Sequence, residues 1–195
     1  MAINITYNLF TMAKQEKQVL LIISGSIAAY KSLDLIRLLK KEDIKVVCVL
    51  TQAGKQFVTE LSVASLSGGQ VYSDVFSLKD EAEMGHIRLS RESDLVVVAP
   101  ASADIIAKMA NGFANDLAST ILLATDKPVL IAPAMNVMMW QNKAVMRNIK
   151  QLKDDGVKII GPASGSLACG EEGQGRMVEA GDIFDEVLKC LNQLP

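Results

Sequence analysis

Three side chains stand out as able to do chemistry: His86, Asn136 and Cys169. His86 is the chain's single histidine and precedes a short stretch, 87–92, with helical spacing. The positive end of a helix dipole disfavours the imidazolium. A histidine there is either a neutral base or a surface or capping residue. Asn136 follows the apolar run 128–132 by way of Pro133, Ala134 and Met135. An amide just past the carboxyl end of a buried strand either reads a polar ligand group or caps the next helix. Cys169 lies in 161–177, where six of seventeen residues are glycine or proline. The same segment carries Glu171, Glu172 and Arg176. It is too long for an ordinary connection, and segments of this kind serve as lids or stay irregular.

Small-residue turns come next. Residues 95–99 (LVVVA) form a wholly apolar run between Asp94 and Pro100. That composition predicts a strand buried on both faces, ended by the proline. Ala101, Ser102 and Ala103 then let backbone approach a flat ligand, and Asp104 opens a helix over 105–110. Residues 19–24 (VLLIIS) predict the first strand, followed by Gly25 and Ser26 and a helix over 30–41 with Leu33, Ile36 and Leu39 as its apolar face. Free amides at such a helix start make an anion site. The spacing is neither G-x-G-x-x-G nor a phosphate loop of the G-x-x-x-x-G-K type. Thr51 follows the second strand, 45–50, and either caps the next helix, near Ala53, or bonds a phosphate. Phe57, one turn on, is either core or a ligand wall.

These turns need a scaffold. Further strands are expected at 71–75, 128–132 and 157–160. Helices are expected at 61–66, 116–124, 143–155 and 183–194. Strands alternate with helices, with no internal repeat. The fold class is therefore α/β, a single-domain, three-layer, doubly wound parallel sheet of flavodoxin or Rossmann type. Residues 1–18 read as a polar tail, 19–195 as the domain, and 161–177 as a mobile clamp.

The chain has 195 residues, a net charge of -2 and no basic footprint, so nucleic acid is not an expected partner. Three widely spaced cysteines, Cys48, Cys169 and Cys190, give no disulfide framework and no metal-ligand spacing, which favours a reducing cytoplasm. No apolar run is long enough to cross a bilayer.

Four segments carry a resemblance: 25–31 (GSIAAYK); 100–112, from Pro100-Ala101-Ser102-Ala103-Asp104 to Asn111-Gly112; 133–140, with Pro133-Ala134-Met135-Asn136 and Met139-Trp140; and 167–177 (LACGEEGQGRM). In this order they resemble the homo-oligomeric flavin-containing Cys decarboxylases, over about residue 19 to the end. The resemblance implies FMN as cofactor. It places Gly25, Ser26 and Thr51 on the phosphate side, and Phe57, Ala101, Ser102, Ala103, Asp104 and Ala134 along the flavin. It makes His86 a base, Asn136 the grip on a substrate carboxylate, and Cys169 an acid, with Met135 and Arg176 also touching substrate. Many relatives have Asn where this chain has Asp104, and the bifunctional bacterial branch resembles it there.

The reaction so implied is decarboxylation of 4'-phospho-N-pantothenoylcysteine to 4'-phosphopantetheine in coenzyme A biosynthesis. Plain loss of CO2 from a cysteine carboxylate leaves a carbanion with no electron sink. Oxidising the carbon that bears sulfur makes a C=S group that takes those electrons, and a flavin is the oxidant. Two other readings remain: a peptidyl-cysteine decarboxylase of the same family, and a non-catalytic regulatory flavoprotein. The resemblance also implies a homotrimer or a dodecamer. The ligase that joins cysteine to phosphopantothenate is either a separate protein or fused to the decarboxylase.

Overall fold

Successive residues of the central strands point to opposite sides, and both sides are apolar, so helices have to cover both. The computed structural model describes residues 17–73, 85–166 and 170–194. Its main sheet holds β1 (Gln18–Ile23), β2 (Lys45–Leu50), β3 (Val71–Tyr72), β4 (Leu95–Ala101), β5 (Val129–Pro133) and β6 (Lys158–Ile159). Every pairing is parallel and the order is β3-β2-β1-β4-β5-β6. The helices are α1 (Tyr30–Lys41), α2 (Glu60–Ser67), α3 (Gly85–Glu92), α4 (Ala103–Ala110), α5 (Leu117–Ala124), α6 (Val137–Gln141), α7 (Lys143–Asp154) and α8 (Ala180–Asn192).

Val19, Leu21 and Ile23 of β1 pack against Leu35, Ile36 and Leu39 of α1 and Ile183, Val187 and Leu191 of α8. Leu20 and Ile22, with Val96 and Val98 of β4, pack against Ile105 and Ile106 of α4, Ile121 of α5, and Ile149 and Leu152 of α7. Burial of each such side chain contributes roughly 1.5–3 kcal/mol. The two central strands are buried on both faces. The chain winds outward from β1 to β3, then returns past β1 to start β4. The carboxyl ends of β1 and β4 thus diverge at a topological switch point, where open α/β sheets bind ligands.

The doubly wound expectation holds, with several local corrections. The first strand starts at Gln18, inside what the sequence assigned to the tail. Pro100 does not end β4, which runs on to Ala101 with a register irregularity against β5 between Val98 and Ala101. A short 3-10 turn, Gly54–Gln56, stands where a helix was expected near Ala53. Asn136 caps the separate short helix α6, ahead of α7. On α1 the buried stripe is Lys31, Ser32, Leu35, Ile36 and Leu39, and Leu33 is only partly covered. Within 161–177 the chain forms an antiparallel hairpin, β7 (Ala163–Ser166) and β8 (Glu172–Arg176), rather than a structureless loop.

Candidate active site

The ends of β1 and β4 are stitched together by one hydroxyl. Ser24 Oγ donates to the Pro100 carbonyl at 2.7 Å and accepts from the Ser102 amide at 2.9 Å. Ser32 Oγ of α1 donates to the Ala99 carbonyl at 2.6 Å. These bonds fix the turn 100–103 and the turn after β1 relative to each other. Gly25 then runs so close to Ala53 that a Cβ on it would lie 2.5 Å from the Ala53 Cβ. Only glycine fits there without moving one of the two turns.

A cleft with two lobes opens above these turns. The larger lobe, about 640 Å³, is lined by Gly25, Ser26, Ser102, Ala103, Ala134, Met135, Asn136 and Arg176, with Tyr30, Lys31, Met139 and Met177 among the others. The smaller, about 440 Å³, is lined by Thr51, Gln52, Ala53, Ser73, Asp104, Lys108 and Asp116 among others. Gly25, Ser102, Ala103 and Met139 border both, so they form the wall between the lobes. Both volumes lie in the range of small-molecule sites.

Several expected residues thus come together, each held by local chemistry. Ser26 Oγ accepts from the Ala28 amide at 3.2 Å and Ser102 Oγ from the Ile105 amide at 3.4 Å, so both cap the turns they open. Thr51 Oγ1 accepts from the Gly54 amide at 3.0 Å, the capping role among its two alternatives. Asn136 also caps, with Oδ1 accepting from the Met139 amide at 2.8 Å. That bond fixes the side chain and leaves Nδ2 without a hydrogen-bond partner among the described residues, at the edge of the larger lobe.

Two expected flavin-lining residues stand elsewhere. Ala101 is fully buried, because β4 continues through it and turns its side chain into the core. Phe57 is 48% exposed and lines neither lobe. His86 belongs to α3, and its side chain is not described. Cys169 lies outside the described residues. Of the large residues around α6, Met135 and Trp140 are buried, whereas Met138 and Met139 are exposed.

The hairpin closes one side of the larger lobe. The Met135 amide donates to the Gly175 carbonyl at 3.0 Å, and Trp140 Nε1 donates to Gln174 Oε1 at 3.2 Å. A Cβ on Gly175 would lie 2.4 Å from the Met135 carbonyl oxygen. Gly175 has φ +145°, which an L side chain rarely adopts. The hairpin therefore owes its seat above Asn136 to glycine.

Charge differs between the lobes. In the smaller, Lys108 Nζ pairs with Asp116 at 2.8 Å and Asp104 at 3.1 Å. The bond to Asp116 raises the pKa of the Lys108 ammonium above its ordinary value; burial opposes it, and the bond to Asp104 adds to the rise. Burial pushes the Asp116 carboxyl up, but bonds from Lys108 and from the Ser119 amide and hydroxyl outweigh it and lower its pKa. In the larger lobe the charged lining residues are cations. Lys31 is buried on α1, and sequence reasoning missed it; the signal was a lysine on the same helical stripe as Leu35 and Leu39.

Shallow walls of glycine, alanine and serine, helix starts at Ser26 and Ser102, and a cleft extended across two lobes fit a flat, anionic group. The flavoprotein family model matches residues 10–192. The chain belongs to the flavoprotein family. The coenzyme A biosynthesis bifunctional protein of Vibrio vulnificus is 49% identical over 163 residues, covering 84% of this chain and 41% of that protein. The chain thus spans about two fifths of the length of the curated relatives it matches. Among solved structures, a cysteine-to-serine variant of PPC decarboxylase complexed with pantothenoylaminoethenethiol matches with TM-score 0.82 and 34% identity, covering 90% of this chain and 98% of that one. The FMN binding protein AtHal3 matches with TM-score 0.81 and 34% identity, covering 93% of this chain and 100% of that one. Among the described residues of the flavoprotein chain, no helix is long and apolar enough to cross a membrane.

Proposed function

We propose that this chain is an FMN-dependent decarboxylase that converts 4'-phospho-N-pantothenoylcysteine to 4'-phosphopantetheine and CO2. The observation that carries the reading is the β7–β8 hairpin, seated on the Asn136 loop at the side of the larger lobe. A peptidyl-cysteine decarboxylase stops at the ene-thiol and has no need of a group such as Cys169 to protonate it, so the segment that carries Cys169 argues against that alternative. The 34% identity to PPC decarboxylase over nearly all of that chain supports the same choice.

In this reading Gly25, Ser26 and Thr51 hold the phosphate side of FMN. Ser102, Ala103 and Ala134 line the ring, with Asp104 at its outer edge. A bound flavin would supply a two-electron oxidation at the carbon bearing sulfur, which gives the electrons of the departing CO2 a C=S acceptor, and would return the same two electrons to the ene-thiol once CO2 has left. The chain's own groups orient the substrate and manage its protons. Asn136 donates through Nδ2 to the substrate carboxylate, the orientation already fixed by its cap to Met139. His86 accepts a proton from the substrate. The hairpin keeps water from the reacting carbon, and Cys169 Sγ protonates the ene-thiol carbon afterwards.

The working form is a homo-oligomer, a trimer or a dodecamer. Ile27, Tyr30 and Met139 line the larger lobe yet are 59%, 56% and 44% exposed, so its mouth carries apolar surface that a second copy covers. The ligase that makes the substrate acts either as a separate protein or as a fused domain.

The test offers the FMN-loaded protein 4'-phospho-N-pantothenoylcysteine and, separately, a peptide ending in cysteine, and traps CO2 from each. Release from the first and not the second is expected. Release from the peptide alone contradicts the assignment, and release from neither favours a regulatory flavoprotein.

A further inference from the structure

The two lobes differ in the charge of their linings. Asp104, Lys108 and Asp116 leave the smaller lobe with one net negative charge. Among the described residues no carboxylate lines the larger lobe, and its charged lining groups are Lys31 and Arg176. Both cations are anchored on one residue outside that lining. Lys31 Nζ donates to the Met177 carbonyl at 2.9 Å and to Glu179 Oε1 at 2.9 Å. The Arg176 guanidinium bonds the same Glu179 oxygen. The Lys31 side chain is 8% exposed, so its orientation is set by these bonds and not by solvent.

Each cation keeps donors in reserve. An ammonium has three N–H groups, and Lys31 spends two of them. A guanidinium has five, and the bond to Glu179 spends one. Two cations on one carboxylate leave a net charge of one positive unit at the rim of an otherwise uncharged cavity. The proposed substrate has two anionic ends, a carboxylate and a phosphate monoester, and Asn136 serves the first.

We propose that Lys31 and Arg176 grip the phosphate monoester end of the substrate, and that Glu179 is the positioning residue that holds both cations at the cavity rim. The assignment deepens the decarboxylase reading and rests on it for the identity of the ligand. Lys31 comes from α1 and Arg176 from β8, so the same bonds that aim the cations also tie the hairpin to the domain. The phosphate of the cofactor has the same chemistry as that of the substrate, and the experiment separates the two.

The experiment is calorimetric binding of 4'-phosphopantetheine and of pantetheine to the FMN-loaded protein, with FMN affinity and thermal midpoint measured on each variant. The unmodified protein is expected to prefer the phosphorylated ligand by about tenfold or more, the range of charge-assisted hydrogen bonds. Lys31→Met and Glu179→Gln should reduce that preference to about threefold or less, while Lys31→Arg keeps most of it. FMN affinity should stay within about twofold throughout. Where Glu179→Gln does not fold, Arg176→Gln, at a half-exposed site, makes the same comparison. Equal affinity for the two ligands in the unmodified protein overturns the proposal. So does an equal loss of both ligands in the variants, which marks a structural ion pair, or a loss of FMN with the preference intact, which assigns the cations to the cofactor. Binding needs no turnover. A protein that keeps the preference but releases no CO2 upholds the grip and contradicts the reaction, and release of CO2 without any preference does the reverse.

Discussion

The main-chain amide of Met135 donates to the carbonyl of Gly175 at 3.0 Å, which joins strand β8 to the loop that carries Asn136. The hairpin is therefore docked by backbone, beside the proposed carboxylate grip.

Gly175→Ala should undo that docking. The new Cβ meets the Met135 carbonyl oxygen at 2.4 Å, and φ +145° adds strain of roughly 1–3 kcal/mol. Trp140, the chain's single tryptophan, should then lose its bond to Gln174 and shift its emission to the red. FMN should stay bound, because Gly175 is not among the residues assigned to the flavin, while CO2 release falls at least about tenfold. Unchanged emission together with unchanged release contradicts a docked clamp.

Asn136→Asp separates capping from ligand reading. An aspartate caps a helix as well as an asparagine does, so α6 and the thermal midpoint should be nearly unchanged. The new carboxylate faces the substrate's own and has no N–H to offer it. Decarboxylation should fall by about a hundredfold or more with FMN retained, measured as trapped CO2. Release at the unmodified rate removes Asn136 from the carboxylate grip.

Acid stability should depend on the Lys108–Asp116 pair. The Asp116 carboxyl has a lower pKa folded than its ordinary value of 3.8. Its contribution is therefore complete above the ordinary range and is lost as pH falls through the lowered folded value. Lys108→Met removes the main favourable partner, and burial then acts in the raising direction. The acid-unfolding midpoint of the variant, followed by circular dichroism, should move to higher pH. An unmoved midpoint means that the pair is solvated and adds nothing.

Cys169 should matter after CO2 has left. A serine hydroxyl is a far weaker acid than a thiol, so Cys169→Ser should release about one CO2 per site and stop, with the ene-thiol as product by mass analysis. The flavin absorbance should stay bleached. Continued turnover to the saturated thiol assigns the proton to another group.

The parts of the fold that were legible in the sequence are those whose residues face one environment along their length. The runs at 19–23 and 95–99 are buried on both faces and are apolar throughout. The caps Thr51 and Asn136 were legible because they precede helical turns, whereas Ser26 and Ser102 were read only as parts of small-residue turns. The hairpin was not, since ASGS and EGQGR carry no large apolar or β-branched residue and their seat depends on the distant Met135, Val137 and Trp140. Ala101 was misplaced because Pro100 was taken as a strand stop, whereas the chain stays paired with β5 at Ala101–Pro133. Lys31 was missed because its partners, Met177 and Glu179, lie about 150 residues away in sequence.

The central claim is a net decarboxylation that returns a saturated thiol. Its most direct test is the product of many turnovers of the FMN-loaded protein on 4'-phospho-N-pantothenoylcysteine, resolved by mass. The account predicts 4'-phosphopantetheine, lighter than the substrate by one CO2 and matched mole for mole by the CO2 released. Accumulation of the ene-thiol, lighter by a further two hydrogens, or no loss of CO2 at all, contradicts it.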